Sequence, residues 1–367
     1  MNVEARSIRV LIVDDAVIVR SRLSKILATD PEIEVVGVAA TGQIALAKLT
    51  QLHPDVVVLD LELPDMDGLQ ILSRIREQDA HLPVIMFSAM TTRGATATLD
   101  ALTLGASDYV TKPSQLGNAE DITQYLRSNL IPKIKALSHK VPLPGVSYLP
   151  PTLNHPHPAA IAGRIKVPAA TVDMVAIGVS TGGPNALATL LSELPPNFPA
   201  PIAIVQHMPA MFTRLLAERL TSKCALPVRE AIPGATVCPG TIWLAPGDYH
   251  LRLERVKASV QLVVEQTPPQ NSCRPSVDIL FNSVAEIYGD RALAVILTGM
   301  GQDGLRGCQQ IRRHNGQILA QDENSSVVWG MPGFVVNAGL ADAVLPLERI
   351  MAEIVHRVNH TSARMGG

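Results

Sequence analysis

Ser180 lies in the stretch GVSTGGPNAL, directly after the apolar run Val172–Ile177. A strand that runs into a glycine turn and then a helix can serve two chemistries. It can aim backbone N–H groups at a phosphate, or it can present the serine hydroxyl as a nucleophile beside an oxyanion site. The Ser180 turn fits neither GxGxxG nor GxxxxGKS/T, and no lysine follows it, which weakens the nucleotide reading. IAIVQHMP ends a second apolar run at His207, and AVILTGMGQDG ends a third, with Asp303 in the glycine-rich loop beyond it. Serine, histidine and aspartate at three strand ends match the division of labour in nucleophilic acyl transfer. The hydroxyl is a weak nucleophile unaided, a neutral imidazole takes its proton, and a carboxylate fixes the tautomer and stabilises the imidazolium. The order Ser…His…Asp, with GVSTG in place of GxSxG, sets the pattern apart from the α/β-hydrolases.

A second set lies nearer the N-terminus. IVDDAVIVR puts Asp14 and Asp15 after one apolar run, and VVVLDLELPDMDG puts Asp60 at the end of another. MFSAM and YVTKP place Ser88 and Lys112 at two more such ends. In an open parallel sheet, functional groups collect at the carboxyl ends of the strands. Three carboxylates meeting there suit a hard divalent cation, Mg²⁺ above all.

The elements that must hold these residues are legible from periodicity. From Ile8 to about Ser128, strands are expected at Arg9–Val13, Glu34–Ala39, Val56–Leu61, Val84–Ser88 and Ser107–Val110. Helical spacing separates them, at Val17–Ala28, Gln43–Leu52, Gly68–Glu77 and Thr96–Leu104, with a fifth helix from near Ala119. This order predicts a five-stranded parallel (βα)5 domain covered on both faces. From Asp173 a second α/β pattern begins, with strands at Met174–Val179, Pro201–Gln206, Thr241–Ala245, Ala292–Thr298 and Gln317–Ala320. Leu251–Glu254 and Gln261–Val264 read as an antiparallel hairpin, giving a Rossmann-like α/β/α domain that carries a hairpin. Domains are therefore expected at residues 1–130 and 171–362. Residues 131–170 form a proline-rich linker, semi-stiff and partly polyproline II from Ser138 to Ala170. The tail HTSARMGG reads as disordered.

Composition narrows the class. A net charge of −2 without a basic block gives no footprint for nucleic acid. The opening MNVEARSIRVLIVDD lacks the long apolar core of a signal peptide, and no run reaches the roughly 20 apolar residues that span a bilayer, so a cytoplasmic protein without membrane insertion is expected. Cys224, Cys238, Cys273 and Cys308 form no CxxC pair and fit no zinc spacing, so reduced thiols are expected. Cys273 and Cys308 are poor rivals to Ser180, because neither has a partnered histidine in its motif.

Residues 8–128 resemble the response-regulator receiver domain on the strength of Asp14, Asp15, Asp60, Ser88 and Lys112. The resemblance implies phosphoryl transfer to Asp60, with Asp15 on Mg²⁺ directly, Asp14 through water and Glu62 through its carbonyl. Lys112 would pair with the phosphoryl oxygens, Ser88 would move toward them, and Tyr109 would change rotamer. Ala16 replaces the usual serine or threonine, at no cost to the chemistry. GVSTGGPNAL, VQHMP, FTRLLAERL, RPSVDILF, VILTGMGQDG and AQDENSSVVWGMPG resemble the CheB family, the chemotaxis response-regulator protein-glutamate methylesterases. That likeness covers both domains in order. It implies a Ser180–His207–Asp303 triad, an oxyanion site at the Met300 N–H and one from the Ser180 turn, and Thr181 positioning the ester. It further implies demethylation of glutamyl methyl esters, and deamidation of glutamines, on methyl-accepting chemoreceptors. A chemotaxis histidine kinase is the implied phosphodonor, and no cofactor is implied for the esterase step. Cys273 stands before RPSVD where histidine is more usual. Domain order suggests that the unphosphorylated receiver covers the catalytic strand ends and that phosphorylation releases it. Two rivals carry less: a transcriptional output, which calls for a basic helix-turn-helix, and a non-catalytic nucleotide-binding or scaffold output, in which loss of Ser180 would spare function.

Overall fold

The computed structural model describes residues 6–113, 118–138 and 171–359. The chain divides into two compact units, Met1–Val141 and Pro142–Gly367. In the first, β1 (Ile8–Val13), α1 (Val17–Leu27), β2 (Ile33–Ala39), α2 (Gly42–Leu52), β3 (Val56–Asp60), α3 (Gly68–Gln78), β4 (Val84–Ser88), α4 (Thr92–Thr103), β5 (Asp108–Thr111) and α5 (Ala119–Asn129) alternate as the periodicity predicts. The strands form one parallel sheet in the order β2-β1-β3-β4-β5. β3 and β4 are buried along their whole length, which is why they read as unbroken apolar runs. α4 starts four residues earlier than expected, because Thr91 Oγ1 accepts the Gly94 N–H at 3.0 Å and caps it.

The domain boundary needs correction. The expected linker began at residue 131, but α6 (Ile131–Leu137) continues the first unit and buries Ile131, Ile134 and Leu137. Lys133 ties it to β5 through Asp108 Oδ2 at 2.6 Å and the Tyr109 carbonyl at 2.9 Å. Pro132 suits a first helical turn, so this proline starts a helix rather than breaking one. The rest of the expected linker, residues 139–170, and the tail HTSARMGG lie outside the described residues.

The second unit runs β6 (Met174–Val179), α7 (Gly183–Ser192), β7 (Ile202–Gln206), α8 (Ala210–Thr221), β8 (Val228–Glu230), β9 (Ile242–Leu244), β10 (His250–Val256), β11 (Ser259–Glu265), α9 (Val277–Tyr288), β12 (Ala292–Ile296), α10 (Leu305–Arg313), β13 (Gln317–Gln321), α11 (Met331–Asn337), β14 (Ala343–Leu345) and α12 (Leu347–Asn359). Seven strands make a parallel sheet in the order β14-β13-β12-β6-β7-β9-β8. β8, β14 and α11 escaped the sequence reading: three residues are too few to show a strand period, and seven too few to show a helical one. β10 and β11 form the expected antiparallel hairpin, whose Leu251, Leu253, Val260 and Leu262 join Leu280, Phe281 and Val284 of α9 in one core. From β6 the chain builds toward β8 on one side, then returns to lay β12 on the other. The switch point therefore falls between β6 and β12, and in open α/β sheets it is at such a point, beyond the carboxyl ends of the strands, that ligands bind.

Candidate active site

Register sets Ser180 beside His207. Val179 pairs with Gln206 across β6 and β7, and the His207 N–H donates to the Val179 carbonyl at 3.2 Å. Ser180 and His207 are thus the next residues on neighbouring strands, whose axes run about 5 Å apart. The Ser180 N–H donates to Thr298 O at 3.0 Å, and the Gly183 N–H to Ser180 O at 2.8 Å. Gly182 takes φ 77°, a left-handed turn that lets α7 start directly behind the serine. Gly299 comes so close to the turn that a Cβ there would lie 2.8 Å from Ser180 Cβ.

The structure brings His207 and Asp303 together. His207 Nε2 lies 2.9 Å from Asp303 Oδ2. Asp303 is 3% exposed and accepts four further hydrogen bonds. Val277 N–H reaches Oδ2 at 2.6 Å, while Ser276 Oγ, Asn271 Nδ2 and Asp278 N–H reach Oδ1 at 2.8, 3.0 and 3.2 Å. Val277 and Asp278 open α9, so the carboxylate sits on orphan N–H groups at a helix N-terminus. The arrangement is reciprocal. Asp278 Oδ1 accepts the Gly304 and Gly307 N–H groups at the start of α10, directly after Asp303. Burial pushes the Asp303 carboxyl up, but the hydrogen bond and charge of His207, with Val277 N–H and Asn271, outweigh it and bring it down to about 2. Burial likewise pulls the His207 ring down, and is outweighed by Cys273 and Asp303, so the ring titrates above its ordinary 6.5. Cys273 contributes only as a thiolate, whereas Asp303 is charged throughout the neutral range and secures that direction.

With Asp303 on Nε2, the base nitrogen is Nδ1. Among the described residues, its neighbour is Cys273 Sγ at 3.8 Å, and Ser180 Oγ makes no hydrogen bond to the ring. Catalytic contacts of this kind often close only when substrate binds. The sequence reading gave Cys273 no partnered histidine; the fold supplies one from 66 residues away. The RPSVD pattern gives no sign of its role, yet Ser276, Val277 and Asp278 all hold the Asp303 loop. Gln206 was also missed: its buried Nε2 donates to Ser180 O at 2.9 Å and ties the nucleophile turn to β7.

Ser180's own N–H is committed to Thr298 O, so a donor from the turn would be another of its N–H groups. The Met300 N–H makes no hydrogen bond among the described residues and follows Gly299, which packs on Ser180. Thr181 is only 4% exposed, and its carbonyl accepts from Thr298 Oγ1 at 2.9 Å, which braces the turn.

In the first unit, oxygens of Asp14, Asp15 and Asp60 come within 4.8 Å of one another, with Asp14 and Asp60 buried and Asp15 exposed. This all-oxygen donor set fits a hard cation. Lys112 Nζ lies 2.7 Å from Asp60 Oδ2 and 3.0 Å from Asp14 Oδ2. Burial raises the Asp60 carboxyl to about 6, with Lys112 opposing and Asp14 adding to the rise. Gly68 packs on Asp60, and a Cβ there would stand 2.4 Å from the Asp60 carbonyl. Ser88 Oγ donates to Gly94 O at 3.2 Å, a bond it must release to reach a group on Asp60. Tyr109 is buried, with Lys133 over its ring at 5.4 Å. Glu62 follows β3 on the same rim.

Residues 175–354 match the CheB methylesterase family and residues 10–126 the response regulator receiver domain. The chain is 53% identical to a Trichodesmium erythraeum protein-glutamate methylesterase/protein-glutamine glutaminase, over 95% of this chain and 99% of that one. The chain belongs to the CheB family. A Nocardioides protein of the same description is 46% identical over 96% of this chain and 95% of its own. The crystal structure of the Thermotoga maritima CheB methylesterase catalytic domain superposes with a TM-score of 0.50 at 43% identity, covering 51% of this chain and 99% of that one. This CheB chain therefore carries a receiver domain followed by a methylesterase domain in one polypeptide. No helix among its described residues is long and apolar enough to cross a membrane.

Proposed function

We propose that this chain removes methyl groups from glutamyl esters of chemoreceptors, and deamidates particular receptor glutamines, under control of phosphorylation at Asp60. The observation that carries the reading is the His207–Asp303 pair on the strand end beside Ser180, in a chain so similar to methylesterase/glutaminases. Ser180 Oγ attacks the ester carbonyl and passes its proton to His207 Nδ1. Asp303 keeps Nε2 protonated and stabilises the imidazolium. The Met300 N–H faces the developing oxyanion, a donor of a kind typically worth about 3–4 kcal/mol. His207 returns the proton to the departing methoxide, giving methanol, and then draws a proton from the water that cleaves the acyl-enzyme. A glutamine follows the same path with ammonia leaving.

Asp60 is the phosphoryl acceptor, from a histidine kinase or a small phosphodonor. Asp14, Asp15, Asp60 and the Glu62 carbonyl would hold Mg²⁺, which when bound offsets the charge of the phosphoryl oxygens. Lys112 steadies those oxygens as a point charge. Ser88 leaves Gly94 to join them, and Tyr109 responds by changing rotamer. The location proposed is the cytoplasm. A scaffold or nucleotide-binding output is not favoured, because it leaves the His207–Asp303 pair without a task.

The test is methanol release from methylated receptor membranes, with and without a phosphodonor and Mg²⁺. Release should rise with phosphodonor in the native chain. Asp60→Asn should keep the unstimulated rate and lose the rise; a variant that still responds would place the phosphoryl group elsewhere. The pH profile is a second expectation. Only the neutral ring accepts the Ser180 proton, and its pKa lies above 6.5, so the rate should climb as pH rises through the range above 6.5. A rate already level by pH 6.5 would contradict this environment for His207.

A further inference from the structure

The His207 ring has two nitrogens with different neighbours. Asp303 Oδ2 occupies Nε2 at 2.9 Å, which leaves the lone pair on Nδ1, and that lone pair faces the Cys273 thiol at 3.8 Å. Ligand atoms of His207, Cys273 and Asp303 all lie within 4.8 Å of one another. The methylesterase reaction uses the imidazole and the carboxylate but leaves the sulfur without a task. Thiolate and imidazole are the donors that select thiophilic dications.

The spacing fits such an ion. Zinc bonds of about 2.3 Å to sulfur and about 2.0 Å to nitrogen, opened to a tetrahedral angle, hold the two donors about 3.5 Å apart. The observed 3.8 Å is within a small side-chain rotation of that value. Asp303 completes the pattern from behind. A carboxylate on the far nitrogen fixes the ring orientation and raises its basicity, as is usual for metal-binding histidines. Asp303 stays in that outer position, because four donors besides His207 already hold it.

We infer that His207 Nδ1 and Cys273 Sγ form a binding site for a thiophilic divalent cation such as Zn²⁺, and that its occupancy inhibits the esterase. Binding displaces the thiol proton to solvent and takes the Nδ1 lone pair, so Ser180 loses its base. Solvent fills the remaining coordination positions. With two protein ligands the site binds reversibly and more weakly than a closed four-ligand site. Its sulfur and nitrogen donors differ in chemistry from the carboxylates of the receiver, whose all-oxygen set prefers a hard ion. Spacing in the sequence hid it, because the two ligands are 66 residues apart and neither belongs to a CxxC or HxxxH pattern.

The inhibitory half of this inference rests on the proposed esterase reaction; the binding half does not. The experiment titrates the metal-free, reduced full chain with Co²⁺ and then Zn²⁺, in excess Mg²⁺ to keep the receiver carboxylates occupied. A thiolate-to-cobalt charge-transfer band should appear and be displaced by one equivalent of Zn²⁺. Cys273→Ser should remove the band and weaken Zn²⁺ binding at least tenfold, while Cys224→Ser and Cys238→Ser leave both intact. Cys273→Ala, checked by its melting temperature, guards against misfolding of the serine variant. Zn²⁺ should suppress methanol release in the native chain and be reversed by a chelator. Each cysteine variant is compared with its own metal-free rate, and that of Cys273→Ser should be at least tenfold less sensitive. An unchanged band in Cys273→Ser, or equal Zn²⁺ inhibition of both chains, overturns the inference. Metal binding by a chain that releases no methanol under any condition would leave the site standing and sink the esterase reading.

Discussion

Ser180→Ala is expected to lower kcat for methanol release by about 10⁶, to the residual rate that an oxyanion site and substrate binding sustain without a nucleophile. The fold should not notice. The Ser180 hydroxyl makes no hydrogen bond to His207, and the contacts that build the turn are backbone ones: N–H to Thr298 O, and O to Gly183 N–H and Gln206 Nε2. Stability should therefore stay within about 0.5 kcal/mol of native. Phosphoryl acceptance at Asp60 should also persist. The measurement is methanol release under saturating phosphodonor, with thermal unfolding as the control. If substantial release survives and vanishes only on further replacement of Cys273, the nucleophile is the thiol on Nδ1 and the role assigned to Ser180 is wrong.

Asp303→Asn should cost both activity and stability, and the two losses have separate causes. An amide has one acceptor where the carboxylate has two. If its nitrogen takes the Oδ2 place, it opposes the Val277 N–H and forces His207 to accept at Nε2, so the ring proton moves to Nδ1 and the base is lost. If the nitrogen takes the Oδ1 place, it meets the donors of Asn271, Ser276 and Asp278 instead. A wrong tautomer of this kind costs about 10⁴ in kcat. A buried unsatisfied donor costs about 1–3 kcal/mol in stability. There is a pH signature as well. The folded pKa of Asp303 is depressed from 3.8 to about 2, so its contribution is present above pH 3.8 and is lost as pH falls through 2. That shift corresponds to about 2 kcal/mol. Acid unfolding of the native chain should show this loss and the asparagine variant should not. Equal acid sensitivity of the two chains would refute the account of Asp303.

Both halves of the fold were legible because buried parallel strands read as unbroken apolar runs, and amphipathic helices sit between them. β4 and β6 fall where periodicity puts them, and α2 within one residue of it. The residues at strand ends were legible for a related reason. A parallel sheet gathers its carboxyl ends along one rim, so polar residues just past apolar runs are brought together whatever their separation in the chain. Residue type and position in the repeat thus sufficed to nominate Ser180, His207, Asp303, Asp60 and Lys112.

What lies between those residues was not legible. Which ring nitrogen Asp303 takes depends on the angle at which the loop after β12 crosses the rim, and no local period encodes that. The placement of Cys273 on Nδ1 comes from a loop between the β10–β11 hairpin and α9, in a segment whose own pattern suggested an inert thiol. Ser180's own N–H is taken because Thr298 O, on the neighbouring chain segment, accepts it. α6 looked like linker because seven residues with a proline carry too little periodicity, yet Lys133 and three buried apolar side chains dock it on the receiver. The sequence by itself determined the two domains, their order and the residue types at each catalytic rim, since hydrophobic period and strand ends are local properties. Only the tertiary structure decided which atoms of those residues meet, because hydrogen bonds between distant loops depend on packing that no short stretch of chain contains.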